Sequence, residues 1–535
     1  AVQTFTQGNN EQENWRQNYW GVYGQDNYRV RTNLTLNFGL RWEPYLPAAD
    51  RYNRGSHFDP AAFTAGTVSQ IFPNAPPGLF YCGDSQTPCA YVQSHWANFS
   101  PRVGVNWDPR GKGQETIRAG YGLFYDTPEE FYFDRFADNS PFGSATTISR
   151  PAGGLTNPYQ GLTVPAFPLP FPKAGAANAF FPKAGIYINL PLNLRPTYVQ
   201  QWNLAIDKQI GKNWLLSATY LGNRTNHLWL GYDANAPVFI AGTDCSNSST
   251  AIPTHGAGTS PCSTTANEQV RRALNLQNPA TGSFFSSIST ATDEGNASYN
   301  AFLFSVNHRF SQNFTLLANY TWSKCIGLGE FGGELSASRL ITNPSNFDSE
   351  KGNCSFDIRH TFNSSFVASS PRFGNSIART ILSNWQLSTI LGYRTGNHFS
   401  VLGGTDNSFT GIKQDRADLV GDPFNGTCSN GATVGSATCW FNTSAFATNA
   451  AGTFGTSSRN MIEGPGFLTF NTGLSRQFKI REGQNLMLRG EAFNLLNHPN
   501  FANPVASNPA SSQFGQITST LGSPRVLQLA FKYLF

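Results

Sequence analysis

The 535-residue sequence is poor in charge and contains no long apolar run. Only 13% of its residues are Asp, Glu, Lys or Arg, whereas ordinary soluble domains contain about a quarter. The net charge of +5 is spread along the chain without a Lys/Arg run, so the sequence gives little support for nucleic-acid binding. No stretch approaches the ~18 apolar residues of a transmembrane helix, which excludes that class of membrane protein.

Catalytic motifs are also missing. The chain has no HExxH, GxSxG, Walker P-loop or strand–GxGxxG–helix pattern, and its eight His are scattered singly. We therefore expect neither an enzyme nor a cofactor. The opening segment “AVQTFTQGNNEQENW” lacks the Met, basic region and apolar region of a signal peptide, and we expect it to be a processed or cut terminus.

The segment “LTLNFGLRWEPY” (34–45) shows the pattern that is present instead. Apolar side chains occupy every second position from Leu34 to Trp42, and Thr, Asn, Gly, Arg and Glu occupy the positions between them. A period of two indicates a β-strand with one apolar and one polar face. The apolar face would form the core of a soluble sandwich, or it would face lipid in an outer-membrane barrel.

Three further segments favour lipid: “IRAGYGLFY” (117–125), “FTLLANYTW” (314–322) and “WQLSTILGY” (385–393). In each segment the first and last residues of the apolar face are eight positions apart. Eight residues at ~3.3 Å each, in a strand tilted by about 40°, span roughly 20 Å across the membrane, which is close to the ~25 Å apolar band of a barrel. Each segment ends in an aromatic residue, as a headgroup girdle requires. The predicted girdle consists of Trp42, Tyr125, Trp214, Trp322, Trp385, Tyr393, Tyr533 and Phe535.

The connections between strands alternate between short and long. Short turns lie at 31–33, 211–213, 311–313 and 482–484, whereas the other connections are long and rich in Gly, Pro, Ser and Asn. The long connections are 46–97, 127–196, 229–297, 325–356, 404–464 and 497–523. We predict an all-β fold over 1–535: an antiparallel up-and-down transmembrane β-barrel of about 14 strands, with long extracellular loops and short periplasmic turns. The alternative is a soluble propeller or tandem sandwiches.

The eight cysteines fall into four sequential pairs within or beside single long loops. The pairs are Cys82/Cys89, Cys245/Cys262, Cys325/Cys354 and Cys428/Cys439. Such pairing suits an oxidising compartment and predicts four disulfides. Zinc binding is the alternative, but there is no paired CxxC motif and no nearby His cluster.

Charged residues recur at the alternate positions that form the polar face of the strands. They are Arg41, Glu43, Arg118, Asp207, Arg309, Arg359, Arg394, Arg489 and Glu491. In one interpretation they line a solute path or grip a plug. In the other, Arg–carboxylate ladders only stiffen a wet lumen, which every barrel needs.

The final segment “VLQLAFKYLF” is an amphipathic strand that ends on Phe535. It resembles the signal by which outer-membrane barrels are recognised by the barrel assembly machinery. “GQDNYRVRTNLTLNFGLRWEP”, “SPRVGVNWDPRGKGQETIRAGYGLFYD”, “FDIRHTFNSSFVASSP” and “LRGEAFNLLNHPNFANP” resemble signatures of Oar-like TonB-dependent outer-membrane receptors. The resemblance covers the strands from about residue 16 to Phe535.

This resemblance implies a 22-stranded barrel, an amino-terminal plug with a TonB box, and often a carboxypeptidase-regulatory-like domain. The present sequence departs from that pattern, since it has about 14 strands and neither a plug nor a TonB box. We interpret it as the carboxyl-terminal part of the barrel. It would contact outer-membrane lipid and an extracellular ligand, and it would reach the TonB complex only through the missing plug.

Three functions follow from these observations. The first is a receptor that moves a bulky ligand captured by the extracellular loops. The second is a surface-display or adhesion barrel, and the third is a passive channel. We expect the first strand, near Tyr19 to Val30, to run toward the periplasm. An incomplete barrel should appear as an open or distorted sheet, or as one forced shut between this strand and the last.

Overall fold

The computed structural model describes most of the chain. The described residues are 4–8, 14–85, 87–128, 133, 136, 139–143, 145–149, 153–160, 179–243, 261–265, 267–311, 313–329, 340–371, 373–412, 415–428 and 430–535. Among them, no helix is both long and apolar enough to span a membrane.

The described part of the chain is mainly β-structure. Its strands are β1 (Thr4–Gly8), β2 (Trp15–Arg16), β3 (Val22–Arg31), β4 (Leu34–Trp42), β5 (Ala49–Asp50), β6 (Ser56–Phe58), β7 (Leu79–Tyr81), β8 (Phe99–Trp107), β9 (Glu115–Tyr125), β10 (Ala145–Ser149), β11 (Gly185–Asn189), β12 (Tyr198–Ile210), β13 (Trp214–Asp233), β14 (Phe285–Ser311), β15 (Phe314–Leu328), β16 (Lys351–Asn353), β17 (His360–Ser369), β18 (Trp385–Arg394), β19 (His398–Phe399), β20 (Asp418–Leu419), β21 (Phe446–Ala447), β22 (Ile462–Glu463), β23 (Phe467–Arg481), β24 (Gln484–Phe493), β25 (Asn500–Phe501), β26 (Thr520–Leu521) and β27 (Val526–Leu534). The helices are α1 (Pro60–Ala65), α2 (Ala273–Gln277), α3 (Pro279–Gly282) and α4 (Ser376–Leu382), with 3₁₀ turns at Gln269–Arg271, Phe347–Glu350 and Thr443–Ala445.

One large sheet contains all the long strands. Its order is β27-β24-β23-β18-β17-β15-β14-β13-β12-β9-β8-β4-β3, so each long strand pairs antiparallel with the next one along the chain. This is the predicted up-and-down meander. The path holds thirteen strands, and β11 and β16 pair with its sides to give fifteen. The two added strands lie in segments that the sequence predicts as loops. The backbone of these segments pairs with β14 and β15 and so extends the sheet.

Short turns connect the strands at one edge of the sheet, here called the turn side, and long connections lie at the other, the loop side. Several of these turns use residues with positive φ: Gly211 (60°), Asn313 (69°) and Gly483 (78°). Gly adopts this conformation without a Cβ penalty and Asn tolerates it, which is why both are favoured in tight hairpins. The strand β3 runs toward the turn side, as expected.

The register gives the sheet one apolar and one polar face. Phe38 pairs with Val103, Val103 with Tyr121, and Tyr121 with Trp202. On the other face Asn37 pairs with Gly104, and Gly120 pairs with both Gly104 and Asn203. The predicted outward residues Leu36, Phe38, Tyr121, Leu316, Leu387 and Phe531 share the apolar face.

Exposure agrees with this sorting, with one correction. Phe38 and Phe531 are exposed, and so are Leu36, Tyr121 and Leu387. Leu316 is half-buried rather than exposed, since it lies in register between His308 and Phe366. Among the described residues β3 and β27 are not paired with each other, so no closure of the sheet is seen in this part of the chain.

Candidate functional site

Three ion pairs occupy the polar face of the sheet. Arg41 lies 2.5 Å from Glu43, and Arg118 contacts Asp207 at 2.5 Å across the β9–β12 ladder. The third pair joins Arg489 and Glu491 on β24 at 2.6 Å. Six of the nine charged candidates thus have partners within their own face. These pairs balance the charges without a ligand, and exposed pairs of this kind each contribute only about 0–1 kcal/mol.

The remaining three candidates lie at the ends of strands. Arg394 donates to Asn397 Oδ1 (2.8 Å) and its guanidinium lies 5.4 Å from the Phe467 ring centre. Arg359 is 3.6 Å from Asp357, at the loop side just before β17. Arg309 is exposed near the turn side. The structure therefore does not bring these three together into one site.

The predicted aromatic girdle residues lie toward the two ends of the strands on the apolar face. Trp42, Tyr125, Trp322 and Tyr393 lie toward the loop-side ends of their strands. Trp214, Trp385, Tyr533 and Phe535 lie at turn-side ends. Two bands of amphipathic rings separated by apolar side chains are the arrangement that two membrane interfaces would require.

At the loop side of the sheet, the long connections fold into a layer with its own buried core. This loop layer comprises the described residues of 43–98, 126–197, 227–297, 325–359, 395–466 and 494–525. Its largest apolar cluster is formed by Phe58, Phe63, Phe72, Ala75, Leu79, Tyr81, Phe142, Ala179, Phe181, Tyr187, Leu274, Phe285 and Ile288. These residues come from three long connections, so segments distant in sequence share one core.

Two more large clusters lie in the loop layer. One contains Tyr45, Ala48, Tyr91, Val92, Phe133, Phe136, Ile188, Leu190, Leu194, Trp229 and Ala291. The other contains Val401, Ala417, Phe441, Ala445, Phe446, Ile462 and Phe514, from the two final connections. Since buried aromatic rings each remove a large apolar area from water, these clusters stabilise a fixed layer.

Buried arginines tie the connections to one another. Arg271 is fully buried and donates to Asn267 Oδ1 (2.7 Å), to the carbonyls of Val238 (2.7 Å) and Thr264 (3.0 Å), and across to Phe409 (3.2 Å). Burial lowers the pKa of its guanidinium. A fork of five N–H donors suits this role, because it satisfies several buried carbonyls at once.

Two further arginines hold the connection 404–464 in place. Arg416 forms a buried ion pair with Glu350 (2.9 Å) and donates to the carbonyls of Ser349 and Ser457. Arg459 donates to the Glu350 carbonyl (3.1 Å), and burial lowers its pKa to about 10. The connection 325–356 is thereby bonded to 404–464 at two points.

Disulfides join cysteines within single connections, as predicted. Cys82–Cys89, Cys325–Cys354 and Cys428–Cys439 have Cα separations of 4.4, 5.5 and 5.8 Å. Cys262 is also disulfide-bonded, and its predicted partner Cys245 lies outside the described residues. The described part of the chain contains no free cysteine.

Two cavities open in or beside the loop layer. The first, of about 470 Å³, is lined by His57, Asp59, Asp84 and Asn189 among others, and burial lowers the pKa of His57 to about 4. The second, of about 650 Å³, has a charged lining that includes Arg195, Arg224, Asp293, Glu294 and Asp348. Among the described residues no group of three or more His, Cys, Asp or Glu is placed to hold a metal ion.

A family model described as an outer membrane beta barrel domain matches residues 1–528. The chain belongs to this family. It is therefore a protein of the outer membrane, and the exposed apolar face of its sheet is the surface that meets lipid. No curated protein sequence matches the chain.

Solved structures of outer-membrane transporters and receptors are similar to this barrel. The transporter YddB from Escherichia coli is 12% identical, with a TM-score of 0.45, and the match covers 96% of this chain and 45% of that one. FpvA from P. aeruginosa, bound to pyoverdines, is 9% identical, with a TM-score of 0.41, and the match covers 96% of this chain and 38% of that one. The ferric-catecholate import receptor Fiu from K12 E. coli is 10% identical, with a TM-score of 0.39, and the match covers 96% of this chain and 44% of that one. The barrel chain thus spans less than half the length of these proteins.

The sequence patterns missed the interior of the loop layer. Arg271, Arg416, Arg459 and His57 are buried there, yet none follows a strand period or a known motif. Only the folded layer shows which carbonyls these side chains bond.

Proposed function

We propose that this chain is the barrel and loop portion of an Oar-like TonB-dependent receptor that captures a bulky ligand with its extracellular loops. The observation that carries the proposal is the folded loop layer at the loop side of the sheet. Its connections share buried cores and are tied by Arg271 and Arg416. A surface ordered in advance loses less conformational entropy when it binds, which favours recognition of a large ligand.

In this proposal residues 1–535 act as one partial barrel domain. The nine charged residues of the polar face line the wet side of the barrel, and the ion pairs Arg41–Glu43, Arg118–Asp207 and Arg489–Glu491 keep that side rigid. Energy coupling comes through a plug and TonB box outside these residues. The final strand, which ends at Phe535, is recognised by the barrel assembly machinery.

A surface-display or adhesion barrel is the second candidate, because the same folded layer could hold a partner without moving it. A single uptake experiment separates these functions from the passive channel. Cells with and without the gene are given fluorescent peptides and oligosaccharides of graded size, with and without a protonophore.

The receptor predicts gene-dependent accumulation of large probes that the protonophore abolishes. Gene-dependent surface binding without accumulation indicates a display barrel. Accumulation of small probes alone, insensitive to the protonophore, indicates a channel. Either of the last two results overturns the receptor proposal.

A further inference from the structure

The connection between β17 and β18 differs from the other turn-side connections. It spans residues 370–384 and contains the helix α4, whereas 32–33 and 211–213 are tight turns. The Asn375 side chain caps the helix by accepting from the amides of Ile377 and Ala378. Asn at this position satisfies donors that a short helix otherwise leaves open.

The helix is amphipathic along its whole length. At about 100° per residue, Ile377, Ala378, Ile381 and Leu382 fall on one side, and Ser376, Arg379 and Thr380 on the other. The apolar side is uncovered by protein, since Ile377 is 69%, Ile381 56% and Leu382 49% exposed. Three large aliphatic side chains on one short face form an apolar patch, unlike a single exposed Leu.

Two bonds hold this helix against the lipid-facing side of the sheet. Trp385 Nε1 donates to the Ile381 carbonyl (2.8 Å), and the Arg476 guanidinium donates to the Thr380 carbonyl. Trp385 and Arg476 are register partners on the apolar face. The helix therefore continues the surface that meets the membrane, at the level of the turn-side aromatic band.

The surrounding charge is of one sign. The segment 370–385 contains two arginines and no Asp or Glu. The Arg476 guanidinium lies 5.4 Å from the Trp385 ring centre and 4.7 Å from that of Phe478. Arg379 is exposed and donates to the carbonyls of Phe373 and Gly374. Cationic groups beside apolar rings at a membrane boundary complement headgroup phosphates.

We propose that α4 is an interfacial anchor for the phospholipid leaflet on the turn side. Ile377, Ile381 and Leu382 insert among the acyl chains, and Arg379 and Arg476 contact headgroup phosphates. The apolar face of the barrel provides the continuity, because a bilayer that covers β18 and β23 reaches the helix they hold.

Depth measurements on nitroxide labels test the insertion. Single cysteines replace Ile377, Ile381, Ser376 or Thr380 in the full 535-residue chain, which is reconstituted in phosphatidylcholine bilayers. The unsubstituted chain measures background labelling. At 377 and 381 we expect frequent collisions with oxygen and rare collisions with a nickel chelate, and the reverse at 376 and 380. Equal nickel accessibility at all four sites, or shielding of 377 and 381 from both reagents, overturns the proposal.

Lipid selectivity tests the arginines. The preference of the protein for spin-labelled phosphatidylglycerol over phosphatidylcholine is compared for Arg379→Gln, Arg476→Gln and the control Arg118→Gln on the polar face. We expect each of the first two substitutions to lower the preference by up to about fivefold, and the control to leave it unchanged. An equal preference in all three variants overturns the headgroup contact.

Discussion

The sheet and the loop layer bury their apolar side chains in different ways. In the sheet, Phe531 is 74% exposed and its neighbours on the same face are also uncovered by protein. In the loop layer, Phe72 and Phe441 are almost fully buried among other rings. One region thus presents its apolar residues to lipid, and the other packs them as a soluble domain does.

Apolar side chains of this one chain therefore lie in two different environments, a lipid-facing surface and a buried core. Strand alternation places one side chain in two against the membrane, and the backbone ladder supplies the hydrogen bonds that lipid cannot. The loop layer meets water, so it needs an internal core, and its backbone carbonyls are bonded by Arg271 and Arg416. Substitutions should therefore act differently in the two regions.

The largest difference is expected from removing one phenylalanine in each region. Phe72→Ala leaves a cavity beside Tyr81 and Phe142 and should lower the free energy of unfolding of the loop layer by ~3–5 kcal/mol. The measurement is protease resistance of the loop layer in membrane-inserted protein. The matched control, Phe531→Ala on the lipid face, should leave that resistance unchanged. Equal losses in the two variants would contradict the separate core.

The next test inserts an arginine on either face of one strand. Leu204→Arg, on the apolar face of β12, should cost ~2–4 kcal/mol of unfolding free energy in bilayers. Asn203→Arg places the same charge on the adjacent polar face, where it should cost far less. Denaturant titration in lipid vesicles measures both. If the two substitutions cost the same, the assignment of the faces is wrong.

Acid should loosen the loop layer through His57. Burial holds its folded pKa at about 4, below the ordinary 6.5, so the unfolded layer binds more protons between these pH values. Stability from the neutral ring is complete above pH 6.5 and falls as the pH drops toward 4, by about 3 kcal/mol. Resistance to denaturant at pH 7 and pH 4.5 measures the change, and His57→Gln should reduce the pH dependence. A dependence that persists in this variant must come from other groups.

The smallest effect is expected from one disulfide. Replacing Cys428 and Cys439 by Ser opens a loop of twelve residues and should cost ~2–3 kcal/mol locally. Proteolysis followed by mass spectrometry should show faster cleavage near Trp440, with the ladders of β23 and β24 unaffected. Faster cleavage within those strands would show that the loop layer supports the sheet.

Much of the sheet could be predicted from the chain. The period of two at 34–42 and 385–393 predicts both the strands and their faces, because successive side chains of a strand point to opposite faces of the sheet. The short turns also follow from local chemistry at Gly211 and Gly483. The added strands β11 and β16 could not be predicted, since their pairing depends on where the connections return to β14 and β15.

The sequence alone determined the antiparallel meander, its lipid-facing parity and the three cysteine pairs among the described residues, because each depends on residues close together in the chain. Only the tertiary structure decided that the long connections form one layer. Phe58 meets Phe285 at 5.3 Å, and Arg271 reaches Phe409, across more than a hundred residues in each case. No local period encodes such contacts, since they exist only after the sheet has brought the ends of its strands together.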